Sequence, residues 1–131
     1  FPEFLKLKKK KKYLIIPNYN DKEFYKNDFG IKVSLPTLPV RKIILDIAQS
    51  ELIISSSLHG IVLADSLGIN SIILKSFSED SFKYKDYLLG TGREKFYPVN
   101  NISDALKSSP LEKPVIDYKK IIDSFPLDLY R

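Results

Sequence analysis

The segment Ser-Ser-Ser-Leu-His-Gly, residues 55–60, contains the side chains best suited to binding an anion or moving a proton. It follows the apolar stretch 52–54 and leads directly into a helical pattern. The N–H groups at a helix start have no partner within the helix and attract phosphate and carboxylate groups. Ser55, Ser56 and Ser57 add hydroxyl donors, and Gly60 would let a ligand approach the backbone closely. We therefore predict a ligand site centred on residues 55–60, with Leu58 among the residues that bind the ligand.

His59 is the only histidine of the 131 residues. Near a helix start the dipole disfavours a proton on its ring, so the side chain suits either a hydrogen bond to an anion or proton transfer near neutral pH. A second interpretation stays open, in which His59 caps the helix or fills the core. Serine also commonly caps helices, so we expect one of the three serines to do only that.

Apolar strands and amphipathic helices alternate over the first 75 residues. Stretches 13–16, 31–34, 52–54 and 71–74 are predicted strands, and 40–50 and 58–67 are predicted helices, the second stopped by Gly68. Shorter helices are expected at 21–27, with Asn20 or Asp21 as cap, at 82–88, at 103–107 with Ser103 as cap, and at 117–124. This order predicts an α/β fold, a Rossmann-like parallel sheet with helices on both faces.

In such a sheet, ligands bind at the carboxyl ends of the strands. The apolar strand 52–54 must be buried, so its end brings the serines to that edge of the sheet. The helix after it must begin within a few residues, which places His59 in its first turn. We expect His59 to line an open cleft there together with the three serines.

Composition excludes several classes of function. The absence of cysteine excludes disulfides and thiolate chemistry. With one histidine besides, a zinc site is improbable, and the scattered acidic residues do not indicate a site for another metal. No apolar run approaches the length of a membrane helix. Of the net charge of +5, much lies in the lysine run that begins at Lys8 and ends at Lys12. A solvated loop before the first strand is the favoured interpretation of this run, and contact with anionic lipid is the alternative; we expect no specific nucleic-acid binding.

Residues 51–70, Glu-Leu-Ile-Ile-Ser-Ser-Ser-Leu-His-Gly followed by Ile-Val-Leu-Ala-Asp-Ser-Leu-Gly-Ile-Asn, resemble the core motif of the polysaccharide pyruvyl transferase family. That family typically shows a strand, Ser-x-x-His-Gly and a helix ending in Gly-Ile-Pro. Residues 13–19 resemble its strand ending in Pro-His-Tyr. Residues 82–87, with Gly92 and Arg93, resemble its Lys-Phe-x-Asp-Tyr element and the glycine and arginine beyond that element. Two positions depart from the pattern: Ser57 stands where many members have arginine, and Asn70 stands where proline is usual.

The resemblance implies a transferase that moves the enolpyruvyl portion of phosphoenolpyruvate onto two hydroxyls of a sugar, forming a pyruvate ketal on a cell-surface polysaccharide. It implies a glycosyltransferase-B-like enzyme of two domains, of which this chain is the C-terminal half, inactive alone and without a cofactor. His59 matches the family's histidine and is the expected catalytic contact with phosphoenolpyruvate. Lys85 and Arg93 are candidates for neutralising its charge, with surface charge as the alternative, and Asp86 would orient one of them or cap a helix.

On this basis residues 1–12 form a basic leading segment, 13–109 a Rossmann-like domain and 110–131 a C-terminal tail that packs away from the central core. A cytoplasmic location, at or near the inner face of the membrane, is expected. Two other functions stay open. One is the nucleotide-sugar-binding half of a glycosyltransferase, and the other is a non-catalytic fragment that keeps only the fold.

Overall fold

The computed structural model describes residues 9, 11–25, 29–35, 37–76, 81–93 and 98–114. Its centre is a four-stranded sheet of β1 (Lys11–Ile16), β2 (Lys32–Val33), β3 (Ser50–Ser55) and β4 (Asn70–Ile73). The strands lie in the order β2-β1-β3-β4, and every pair is parallel. All four predicted strands are thereby confirmed, and with them the α/β, Rossmann-like fold. Beyond β4, Val99 extends the sheet through a parallel bridge to Leu74.

In the described ranges, four α-helices and one 3₁₀ helix connect and cover the strands. They are the 3₁₀ helix Tyr19–Tyr25, α1 (Val40–Ala48), α2 (Leu58–Ser66), α3 (Ser81–Gly90) and α4 (Ile102–Leu106). The predicted helices 40–50 and 58–67 are confirmed. The short helix predicted from residue 82 is longer than expected, because α3 has ten residues.

The two faces of the sheet carry different cores, because successive side chains of a strand point to opposite sides. On one face, Leu14, Ile16 and Ile53 pack against α1 and α2. On the other, Ile15 and Ile54 pack beneath the 3₁₀ helix and α4. Helices therefore cover both faces, as the sequence predicts.

A glycine at positive φ ends α2. Gly68 has a φ of 70°, its N–H donates to Asp65 O at 3.1 Å, and the next N–H, that of Ile69, donates to Ala64 O at 2.9 Å. This pair of bonds satisfies carbonyls that the helix end would otherwise leave without partners. The prediction that Gly68 stops the helix is correct.

The predicted helix caps are wrong at two positions. The 3₁₀ helix is preceded by Asn18, whose side chain accepts a hydrogen bond from Asn20 N at 3.1 Å, and Asp21 is buried instead of capping. In α4 the cap is Asn101, which accepts from Asp104 N at 2.7 Å, and not Ser103. In both cases an asparagine a few positions earlier in the chain provides the same kind of acceptor.

The lysine run is partly built into the fold. Lys11 and Lys12 are the first residues of β1, so the loop interpretation is wrong for them. Lys9 donates to Ala48 O at 2.8 Å, at the end of α1, where a cation suits the helix dipole. Two lysines of the run lie outside the described residues, Lys8 and Lys10. The predicted helix 117–124 and most of the tail 110–131 lie outside them as well.

Candidate functional site

The junction between β3 and α2 lies at the carboxyl edge of the sheet, as predicted. Ser57 is the N-cap of α2, with extended backbone angles, and Leu58 is the first helical residue. The Ser57 side chain makes no capping hydrogen bond to the helix. His59 is the second residue of α2 and its side chain is exposed. The exposed ring excludes the interpretation of His59 as a core-filling residue.

Ser55 is fully buried and its hydroxyl is used inside the protein. Its Oγ lies 2.8 Å from Ile16 O and 2.7 Å from Ser57 O, to either of which its single proton can be donated. The same oxygen accepts a hydrogen bond from Ser57 N at 3.0 Å. Ser55 therefore fixes the turn into α2 and ties it to β1.

Ser56 connects three strand ends through a buried carboxylate. Its hydroxyl accepts from Asn18 N at 2.8 Å and donates to Asp21 Oδ2 at 3.1 Å. Ser76, just after β4, donates to the same Asp21 oxygen at 2.7 Å. Asp21 has no exposed surface. The loops after β1, β3 and β4 are thus joined at one carboxylate directly beneath the segment that carries His59.

Two tyrosines, one on each face of the sheet, donate hydrogen bonds to backbone carbonyls at its carboxyl edge. The Tyr84 hydroxyl of α3 donates to Ser56 O, and the Tyr25 hydroxyl donates to Lys75 O. Burial, together with the nearby charge of Asp21, raises the pKa of Tyr25 to about 12. Tyr25 therefore remains a hydrogen-bond donor throughout the physiological pH range.

Gly60 faces the sheet and not a ligand. A Cβ built at this position would lie 2.5 Å from Ser55 Oγ and 3.3 Å from Ile16 Cβ. The expectation that this glycine lets a ligand approach the backbone is wrong. The missing side chain instead lets α2 pack closely on the ends of β1 and β3. Leu58 is half-buried against a small core that includes Tyr84, so its side chain also has a packing role.

Arg93 is buried in an internal ion pair. Its two terminal nitrogens donate to the two carboxylate oxygens of Asp65 at 3.0 and 2.6 Å, and its Nε donates to Thr91 Oγ1 at 2.9 Å. Only 1% of its surface is exposed. The partner is Asp65 and not the predicted Asp86, which is exposed. Such a bidentate pair holds the segment after α3 against α2 and leaves the guanidinium unavailable to a ligand in this conformation.

The structure thus separates the predicted site residues into two groups. His59 and Lys85 present exposed side chains on α2 and α3. The serines, Gly60 and Arg93 are buried, and the expectation that Ser55 and Ser56 line an open cleft is wrong, because both hydroxyls are bonded internally. Lys85 directly follows Tyr84, whose hydroxyl bonds α3 to Ser56 O.

Asp21, Asn18 and Ser76 were missed as members of this site. A signal was present, since each follows a predicted parallel strand by a few residues and such positions meet at the carboxyl edge. Asp65 was missed as well, although it is the single charged residue in the mostly apolar segment 61–67, which indicates a buried partner.

Comparison with known protein families identifies the family of this chain. Residues 3–76, more than half of the chain, match the profile of the family described as Polysaccharide pyruvyl transferase. The chain belongs to the polysaccharide pyruvyl transferase family. The match includes the whole β3–α2 junction with His59 and ends at Ser76, before Lys85 and Arg93. No significant match was found among curated proteins or among solved structures.

Two further findings concern the described part of this pyruvyl transferase family member. Within it, no group of histidine, aspartate and glutamate side chains is arranged to hold a metal ion. In the same ranges, no helix has the length and apolar character needed to cross a bilayer.

Proposed function

We propose that this chain is the C-terminal domain of an enzyme that forms pyruvate ketals on a polysaccharide or its precursor, with phosphoenolpyruvate as donor. The observation that carries the proposal is the exposed His59 in the first turn of α2, at the carboxyl edge of a parallel sheet, within the segment that matches the family. The sugar acceptor is bound between this domain and an N-terminal domain of the same protein.

The first turn of α2 supplies the anion contact. Its N–H groups point towards the loop side of the sheet, and the Ser57 side chain does not cap them. A phosphate or carboxylate of phosphoenolpyruvate is stabilised by these groups and by the dipole of the helix. His59, on the same turn, is placed to donate a hydrogen bond to that anion or to exchange a proton with the substrate.

The reaction needs one proton delivered to the methylene carbon and two C–O bonds formed at the neighbouring carbon. The two sugar hydroxyls lose two protons, one of which balances the proton gained by the methylene carbon. The other leaves on inorganic phosphate, which departs with the oxygen that linked it to the enol carbon. His59 serves as the acid or base in this exchange. Lys85 supplies positive charge towards the departing phosphate, in the absence of an arginine at position 57. Arg93 has no part in this scheme, because its donors are bonded to Asp65, Thr91 and Glu112.

A thermal-shift experiment tests the donor. Phosphoenolpyruvate is expected to raise the melting temperature, since a ligand at a hundred times its Kd stabilises the folded state by about 2.7 kcal/mol. His59→Ala is expected to remove most of that shift, whereas Lys107→Ala, which changes an exposed lysine after α4, is not. A shift with UDP- or GDP-sugars and none with phosphoenolpyruvate would instead identify a nucleotide-sugar domain and contradict the proposal.

A further inference from the structure

A cluster of three lysines surrounds one buried carboxylate, away from the α2 start. The side chain of Asp46, on α1, is 1% exposed, and its Oδ1 lies 3.5 Å from Lys11 Nζ, 3.2 Å from Lys32 Nζ and 3.1 Å from Lys42 Nζ. Ser34 Oγ donates to the other oxygen, Oδ2, at 2.8 Å. The cluster joins α1 to the first strand and to the edge strand β2.

The charges of this cluster do not balance. Among the residues that the structure describes, three ammonium groups meet a single carboxylate, which leaves two positive charges over within the cluster. Burial by itself would raise the pKa of the Asp46 carboxyl, but the hydrogen bonds from Ser34 and the lysines outweigh it and lower that pKa to about 2. The carboxylate therefore keeps its charge at every physiological pH and holds the three ammonium groups together against their mutual repulsion.

The lysines remain accessible to a ligand. The side chains of Lys32 and Lys42 are 41% and 47% exposed, and that of Lys11 is 26% exposed. Beside them lies a groove of about 350 Å³ lined by Lys11, Lys12, Tyr13, Gly30, Ile31 and Lys32. The Lys12 ammonium lies over the Tyr13 ring, 5.4 Å from its centre, which adds a further positive charge at the groove wall.

We propose that Lys11, Lys32 and Lys42, organised by Asp46, form a second binding site for a phosphate-bearing anion. A dianionic phosphate compensates the two excess charges, and its oxygens accept hydrogen bonds from ammonium protons that Asp46 does not use. This site is independent of pyruvyl transfer and of His59, because it lies on the β2 side of the sheet and α2 follows β3.

The test is a titration of the isotope-labelled chain with inorganic phosphate, followed by NMR at constant ionic strength maintained with sodium chloride. Backbone signals of Lys11, Lys32 and Lys42 are expected to shift and saturate. Lys32→Gln and Lys42→Gln are each expected to raise the Kd about threefold or more, since each removes one positive charge from the cluster. Lys32→Arg keeps the charge and Lys107→Gln lies elsewhere, so both are expected to bind like the wild type, and melting curves verify that each variant folds.

A second arm identifies the source of the phosphate. The chain is incubated with phosphatidylglycerol vesicles or with phosphatidylcholine vesicles and sedimented. Sedimentation with the first only, which the substitution Lys32→Gln abolishes, would identify a lipid headgroup as the source. Saturable phosphate binding without sedimentation would identify a soluble phosphate compound. Shifts that do not saturate, that chloride alone reproduces, or that persist unchanged in both glutamine variants would overturn the proposal.

Discussion

At the scale of single residues, the three consecutive serines at the end of β3 differ in what their hydroxyl groups contact. The Ser56 hydroxyl bridges Asn18 N and the buried carboxylate of Asp21. Ser57 occupies the N-cap position and its side chain does not bond to the helix. Adjacent residues of one type therefore differ in role: the Ser56 hydroxyl is bonded to two neighbouring loops, whereas the buried Ser57 side chain makes no capping bond to α2.

This difference predicts opposite outcomes for two alanine substitutions. Ser56→Ala removes one hydrogen-bond partner from the part-buried amide of Asn18 and one from the buried carboxylate of Asp21. It is expected to lower the free energy of unfolding by about 1–3 kcal/mol. Ser57→Ala loses no capping bond, so its effect on stability is expected to stay below about 0.5 kcal/mol, less than a bonded cap costs. Urea denaturation measures both. Equal losses from the two substitutions would contradict these assignments.

At the scale of elements, the approach of α2 to the sheet depends on Gly60. The space that a side chain would need is occupied by Ser55 Oγ, 2.5 Å from the position of a Cβ. Ser55 cannot simply turn away, because its hydroxyl contacts Ile16 O and Ser57 O. Any larger residue must displace the helix that carries His59.

Gly60→Ala is therefore expected to destabilise the fold by about 1–3 kcal/mol, the usual cost of overpacking. Gly90→Ala is the matched control, since Gly90 is also helical and nothing lies within 4 Å of its Cβ position. The control is expected to be neutral or to stabilise by up to about 1 kcal/mol, because alanine restricts the unfolded chain. Thermal melting of both variants decides the matter, and a Gly60→Ala variant as stable as Gly90→Ala would refute the close contact.

The elements themselves could be predicted from sequence, and the polar contacts between them could not. A short apolar run such as 13–16 predicts a strand from local sequence alone. A helix is predicted in the same way by the spacing of Val40, Ile43, Ile44 and Ile47. The position of His59 in the first turn of α2 can be inferred from the same patterns. The partner of Arg93 depends on how α2 and α3 pack, and that packing places Asp65, 28 positions away, against its guanidinium. The inward orientation of Gly60 likewise depends on a contact with β1 that local periodicity does not contain.

At the scale of the whole molecule, one carboxylate joins the edge strand, the first strand and the first helix. The pKa of Asp46 is lowered in the folded state to about 2, against an ordinary value of 3.8. A carboxyl whose pKa is depressed by folding stabilises the protein above its unfolded pKa, and this contribution is lost as pH falls towards the folded pKa. The fold is therefore stabilised by Asp46 above about pH 4.

Protonation of Asp46 is accordingly expected to lower the free energy of unfolding by about 2 kcal/mol between pH 5 and pH 2. One pKa unit corresponds to about 1.4 kcal/mol. Asp46→Asn is expected to be less stable than the wild type at pH 6 and to show a shallower loss on acidification. Asp86→Asn, at an exposed site on α3, serves as control and is expected to keep the wild-type slope. Urea denaturation at stepped pH measures the slopes, and an unchanged slope in Asp46→Asn would refute the assignment.

The proposed action of His59 on phosphoenolpyruvate at the start of α2 is tested most directly by the pyruvate ketal content of polysaccharide made with His59 variants. Proton NMR of polysaccharide from cells that carry only the variant gene measures the ketal methyl signal, and melting curves of the purified variants verify the fold. His59→Ala is expected to abolish or greatly reduce the signal at an unchanged melting temperature. His59→Asn, which keeps a hydrogen-bond donor, is expected to retain part of it if anion contact is the main role. A near-normal ketal signal from the well-folded alanine variant would contradict the account.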